Sequence, residues 1–169
     1  MTTSAPACFH TLTAYLVVRD APAALDFYHR ALGATETLRV KGPDDSVIHA
    51  EMIFGDSRLM LTEENETFRS PQHFSGTTVS LLMYVPDVDA AFDRAIAAGV
   101  KVLRPVQDQF WGDRAGTLED PFGHVWTLAT HKEDFSPEEL QRRAAAAFCE
   151  SHPSPAQPSP AAQGTGVCW

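Results

Sequence analysis

The chain has 169 residues, 44% hydrophobic and 21% charged, a balance that suits one domain with a real core or two small modules sharing one. Twenty-two Asp and Glu against 13 Lys and Arg give a formal charge of −9, which makes nucleic acid and anionic membranes poor partners. No run approaches the ~18 apolar residues of a spanning helix, and residues 1–8 have neither a basic start nor an apolar stretch, so a cytoplasmic protein without a secretory leader is expected.

Residues 1–11 read as a loose lead-in, and residues 13–18 (Thr-Ala-Tyr-Leu-Val-Val) as a mostly buried strand. A helix follows. Asp20 can cap it, Pro22 is tolerated in its first turn, and Ala21, Ala24, Leu25, Tyr28, Ala31 and Leu32 share one face before Gly33 ends it. The pattern then switches to period two over residues 35–41, 47–54 and 58–62, with turns at Gly42-Pro43-Asp44-Asp45 and Gly55-Asp56-Ser57. Residues 63–76, polar and containing Pro71 and Gly76, form a linker.

The same order then returns. Residues 80–87 (Ser-Leu-Leu-Met-Tyr-Val-Pro-Asp) lie under residues 13–20 at an offset of 67, from 13 to 80, each segment ending in Asp. Val88, Ala91, Phe92, Ala95 and Ile96 repeat the helical face, and Gly99 ends it. Strands are expected at 101–105, 116–119 and 125–129, the last two joined by Asp120-Pro121-Phe122-Gly123, where Pro presets one turn angle and Gly supplies another. Ser136-Pro137-Glu138-Glu139 is a capping box opening a helix to about Cys149, packed lightly on the surface or on a partner chain. Residues 151–166, mostly Pro, Ser, Ala and Gln, cannot bury enough surface to order themselves.

The fold class is therefore α+β: two tandem βαβββ modules forming a curved mixed sheet with a central trough, plus a C-terminal helix and a disordered tail. One domain spans 12–148, with a first module at 12–62, a linker at 63–79 and a second module at 80–130. An extension helix follows at 131–149, then a tail at 150–169. Cys8, Cys149 and Cys168, odd in number and without CxxC spacing, read as ordinary reduced thiols.

Two groups of residues could carry function. On the strand at 47–54, Ile48, Ala50, Met52 and Phe54 form one apolar face, and Val47, His49, Glu51 and Ile53 the other. With the apolar set under the helix, His49 and Glu51 point into the trough, where the carboxylate can hold the imidazole in one tautomer. The plainer reading is a solvent-facing polar pair. The second group is Phe110, Trp111, Asp113 and Arg114, a mix suited to a flat polar molecule; alternatively the aromatics cover a sheet edge and Asp113 pairs with Arg114 or a neighbour. Tyr84 and Tyr15 could offer hydroxyls to the trough or pack in the core. His124, in the last turn, is expected to be exposed, and neither it nor His10, His29, His73, His131 or His152 is given a role. No phosphate loop, nucleophile elbow or dinucleotide fingerprint is present.

A repeated βαβββ unit with Asp-capped helices and an Asp-Pro-Phe-Gly turn before the last strand resembles the vicinal oxygen chelate superfamily of glyoxalase I, bleomycin-resistance proteins, fosfomycin-resistance enzymes and extradiol dioxygenases. The resemblance is to its PhnB-like branch, through His49-Ala50-Glu51, residues 109–114 and residues 120–124. Metal-dependent members carry His, Glu or Gln at positions that fall here on Thr13, Met60, Ser80 and Thr127, poor ligands for a divalent ion. The resemblance thus implies a metal-free, homodimeric small-molecule binding protein without cofactor, with Phe110, Trp111, Asp113, Arg114 and Tyr84 contacting a planar or polar ligand. As the alternative it admits a lyase, isomerase or epimerase using His49 and Glu51 as an acid–base pair, or as relocated metal ligands.

Overall fold

The structure, a computed structural model, describes residue 6 and residues 9–151, with side chains to residue 148. Beyond residue 151 the expected tail lies outside the described residues, as do Cys8, Cys168 and the Cys149 side chain. The first module comprises β1 (Ala14–Val18), α1 (Ala21–Leu32), β2 (Thr35–Lys41), β3 (Val47–Phe54) and β4 (Ser57–Glu63). After the one-turn helix α2 (Pro71–Phe74), the second comprises β5 (Ser80–Tyr84), α3 (Val88–Ala97), β6 (Lys101–Asp108), β7 (Asp113–Glu119) and β8 (Val125–His131), and α4 (Pro137–Ser151) closes the described chain.

Both helices start as their sequences dictate. Asp20 accepts from Ala23 N at 2.9 Å and Asp87 from Ala90 N at 3.0 Å, each satisfying a backbone donor that has no partner within its helix. α1 ends at Gly33 in the left-handed region (φ 72°). The strands of each module form one four-stranded sheet, β1-β4-β3-β2 and β5-β8-β7-β6, so the expected mixed sheet is divided in two. β1 runs parallel to β4 and β5 parallel to β8, and the remaining pairs are antiparallel. One face of each sheet lies under its helix; the other is open.

Three local expectations are corrected. On β3, Val47 is buried and Ile48 exposed, the reverse of strict alternation, because the pairing with β2 slips between Val40 and Lys41. From His49 onward the alternation holds, with Ala50, Met52 and Phe54 buried. β6 continues through Pro105 to Asp108, which is tolerated because β6 is an edge strand with a register shift between Arg104 and Gln107. β7 starts at Asp113, three residues earlier than its apolar pattern suggests, since Asp113 and Arg114 pair with His131 and Thr130 of β8.

The modules share one core. Phe27 and Tyr28 of α1 and Phe54 of β3 meet Phe122 and Trp126 from the second module, with ring centroids between 5.6 and 6.0 Å apart. Each such ring taken fully from water contributes roughly 1.5–3 kcal/mol. Polar contacts cross the same joint: Arg94 Nε donates to the Ala31 carbonyl at 3.1 Å and Gln72 Nε2 to the Pro121 carbonyl at 3.0 Å. His124, expected to be exposed, is buried there. Its Nε2 lies 3.1 Å from the Val17 carbonyl, which can only accept, so this nitrogen carries a proton. Burial holds the imidazole below its ordinary pKa, against the opposing charge of Asp120.

Candidate functional site

On the open face of the first sheet, β1, β3 and β4 bring four polar side chains together. Tyr15 Oη lies 3.4 Å from His49 Nδ1, His49 Nε2 lies 3.6 Å from Glu51 Oε1, and Arg58 donates to Glu51 Oε2 at 3.1 Å. The register explains the grouping, with Tyr15 and Glu51 both opposite Met60, on either side of β4. Aromatics border the cluster: Phe68 lies 6.3 Å from the Tyr15 ring, and the Arg58 guanidinium sits 5.0 Å over Phe9. His49 and Glu51 thus share a face as their two-residue spacing implies. The close partner of Glu51 is nevertheless Arg58, which the sequence reading passed over.

The second sheet's open face carries a tighter cluster. Asp113, only 3% exposed, accepts from Tyr84 Oη at 3.0 Å and Trp111 Nε1 at 2.9 Å on one oxygen, and from His131 Nδ1 at 2.9 Å on the other. Burial alone would raise the Asp113 carboxyl, but the three donated hydrogen bonds outweigh it and hold the group below the usual carboxylate range. The Asp113 hydrogen bond in turn raises the His131 imidazole above its ordinary value, and raises the Tyr84 phenol. His131 Nε2 faces the exposed Asp134 at 3.3 Å. Tyr84 is 60% exposed, and Phe110 and Trp111, in edge-to-face contact at 5.0 Å, are each more than a third exposed.

The predicted group at 110–114 is therefore split. Phe110, Trp111, Asp113 and Tyr84 gather on the open face, but Arg114 points to the α3 side, where Asp89 accepts from its Nε and Nη2 at 2.8 and 2.7 Å and Asp108 from its Nη1 at 3.2 Å. Asp113 pairs with His131 rather than with Arg114. His131 was missed because it sits at the end of a strand, 18 residues from Asp113, with no local motif; only the β7–β8 pairing makes the two opposite.

The four residues that the resemblance aligns with metal-ligating positions, Thr13, Met60, Ser80 and Thr127, are poor donors for a divalent ion. Met60 offers only a thioether, Thr127 shares a hydrogen bond with the Thr117 hydroxyl at 3.1 Å, and Thr13 and Ser80 add neutral hydroxyls. Among the described residues no group of three or more His, Cys, Asp and Glu is placed to hold a metal, and no helix is long and apolar enough to cross a membrane.

Comparison with known proteins places this geometry in a wider setting. Residues 9–128 match the model of the Glyoxalase/Bleomycin resistance protein/Dioxygenase superfamily. The uncharacterized protein Rv0887c of Mycobacterium tuberculosis is 40% identical over 135 residues, covering 77% of this chain and 79% of that protein. Among solved structures, TioX from Micromonospora sp. ML1 superimposes with a TM-score of 0.58 at 26% identity, over 75% of this chain and all of TioX. The PhnB protein from Bacillus cereus gives 0.56 at 20% identity, over 72% of this chain and 99% of its own, a likeness of fold.

Proposed function

The chain belongs to the Glyoxalase/Bleomycin resistance protein/Dioxygenase superfamily, and from that membership we propose that it is a homodimeric binding protein that sequesters a planar or polar small molecule, such as an antibiotic or other secondary metabolite, without a metal. The reading rests on one observation: both open sheet faces carry partly exposed aromatic side chains beside fixed polar groups. Tyr15 and Phe68 flank His49, Glu51 and Arg58 on one sheet, and Tyr84 and Trp111 flank Asp113 and His131 on the other. Rings supply stacking area at small entropic cost, and the charged pairs orient a ligand's polar atoms.

Binding is favoured over acid–base catalysis at His49. A general base needs a close orienting partner, whereas the nearest polar contacts of His49 are at 3.4 and 3.6 Å and Glu51 is committed to Arg58. Native mass spectrometry of untagged protein purified without added metal tests the reading through subunit number and bound mass. A metal-free dimer carrying an organic adduct supports it. Near-stoichiometric divalent metal, removed by a chelator with loss of the adduct, would replace it with the metal-enzyme alternative, and turnover of the adduct to a new mass would rule out sequestration.

A further inference from the structure

The internal repeat is asymmetric at the joint between its halves. α1 and α3 correspond at an offset of 67 residues, with Asp20 and Asp87 as matching caps. In the second module, five residues separate the paired Glu119 and Val125, and this turn fills the space it enters. Phe122 packs on Phe27 and Tyr28 at 5.8 and 6.0 Å, and His124 bonds the Val17 carbonyl on the edge of β1. In the first module only Gly55 and Asp56 separate the paired Phe54 and Ser57, and neither carries a side chain comparable to Phe122. The helix changes in the same sense: Arg94 of α3 stands where α1 has Phe27.

What remains beside the shorter turn is a cleft of about 610 Å³, bounded by that turn, the outer edge of β5 and the face of α3 bearing Ala90 and Arg94. That volume lies within the range of roughly 300–1,000 Å³ typical of small-molecule sites. Phe54, Leu59, Leu81, Met83 and Trp126 make its walls apolar. Most charged groups around it are engaged: Arg58 with Glu51 at 3.1 Å, Asp87 in capping α3, and Asp56 with the Ser57 hydroxyl at 3.0 Å. Arg94 differs. Its Nε donates to the Ala31 carbonyl, and its guanidinium forms no ion pair among the described residues. An unmatched guanidinium at an apolar cleft selects a ligand that is itself apolar with one anionic end.

We propose that this cleft, which lies on the α3 side of the β5 edge and adjoins the open sheet faces at Arg58 and Tyr84, is a second binding site for a small amphiphilic acid whose carboxylate meets Arg94 and whose hydrocarbon body lies against Phe54, Leu81 and Met83. Calorimetric titration of the full chain with decanoate and with decanol tests it. Arg94→Gln, which keeps a donor for Ala31, is expected to weaken decanoate about fivefold, as loss of a partly exposed charge-assisted contact implies, and decanol by less than about twofold. Ala90→Trp, placing an indole across the cleft from the surface of α3, should remove both ligands while leaving the melting curve in place. His49→Ala, on the open face of the first sheet, should leave decanoate affinity unchanged, so this site and the proposed sequestration site stand or fall separately. Equal weakening of acid and alcohol by Arg94→Gln overturns the proposal. So does decanoate binding that survives Ala90→Trp, or wild-type protein that binds no decanoate because a second copy covers the cleft.

Discussion

The phenolic hydroxyl of Tyr28, in α1 of the first module, donates to Asp120 Oδ2, in the last turn of the second, at 2.8 Å across a fully buried joint. Asp120 also accepts from Trp126 Nε1 on the same oxygen, and from the backbone N–H groups of Phe122 and His124 on the other, each at 2.9 Å. Burial, reinforced by Asp120, holds the Tyr28 hydroxyl well above its ordinary pKa, so it remains a donor throughout the working pH range. Tyr28→Phe removes one donor from a buried carboxylate and should cost about 1–3 kcal/mol, whereas Asp120→Ala strands four donors and should cost about 3–5 kcal/mol. Urea unfolding reads both, and the double variant should cost less than the sum of the singles. Strict additivity would mean the two residues do not couple the modules.

The Asp113–His131 pair makes stability depend on pH in a definite direction. Its hydrogen bond to Asp113 raises the His131 pKa in the folded state, so its contribution is fully present below the unfolded value of about 6.5 and is lost as pH rises through the native value. Asp113, held low, contributes above its unfolded value of about 3.9 and loses that contribution as pH falls through its native value. The difference in melting temperature between the wild type and His131→Gln should therefore be largest between about pH 4 and 6.5 and shrink above it. An imidazole titration followed by NMR should place the His131 midpoint above about 6.5, falling in Asp113→Asn. A melting difference independent of pH would show that the pair has no electrostatic role.

Gly112 fixes the loop that presents Trp111. Its φ is 103°, and a Cβ there would run into the Glu133 carbonyl. Its own carbonyl accepts from the N–H groups of Lys132 and Glu133, tying this loop to the end of β8. Gly112→Ala should destabilise by about 2 kcal/mol or more through strain and collision together. It should also change Trp111 emission as the Asp113 contact is lost; a silent substitution would mean the loop can sit elsewhere without consequence.

Once a ligand is known by mass, His49→Ala separates binding from catalysis. On the open face of the first sheet, loss of one polar contact should weaken the ligand about tenfold, with no product from either protein. If His49 were a base, the same change would abolish turnover and leave affinity nearly intact.

Local chemistry was enough to read both helices with their Asp caps, the Gly33 stop, the repeat at an offset of 67 residues and the Asp-Pro-Phe-Gly turn, because each depends on neighbours within a few positions. It also placed His49 and Glu51 on one face, since strand alternation is a local rule. What it could not reach were relations between distant residues. The slip of β3 against β2 exchanges Val47 and Ile48, and its cause is a partner strand. Arg114 turns toward Asp89, 25 residues away in sequence, and His131 toward Asp113. His124 is buried because Val17, 107 residues earlier, supplies an acceptor for its ring. The cleft beside Arg94 is visible only once two turns of different length are seated against the same kind of joint. Periodicity says which side of an element is apolar; which side chains meet across two modules is decided by how those modules pack.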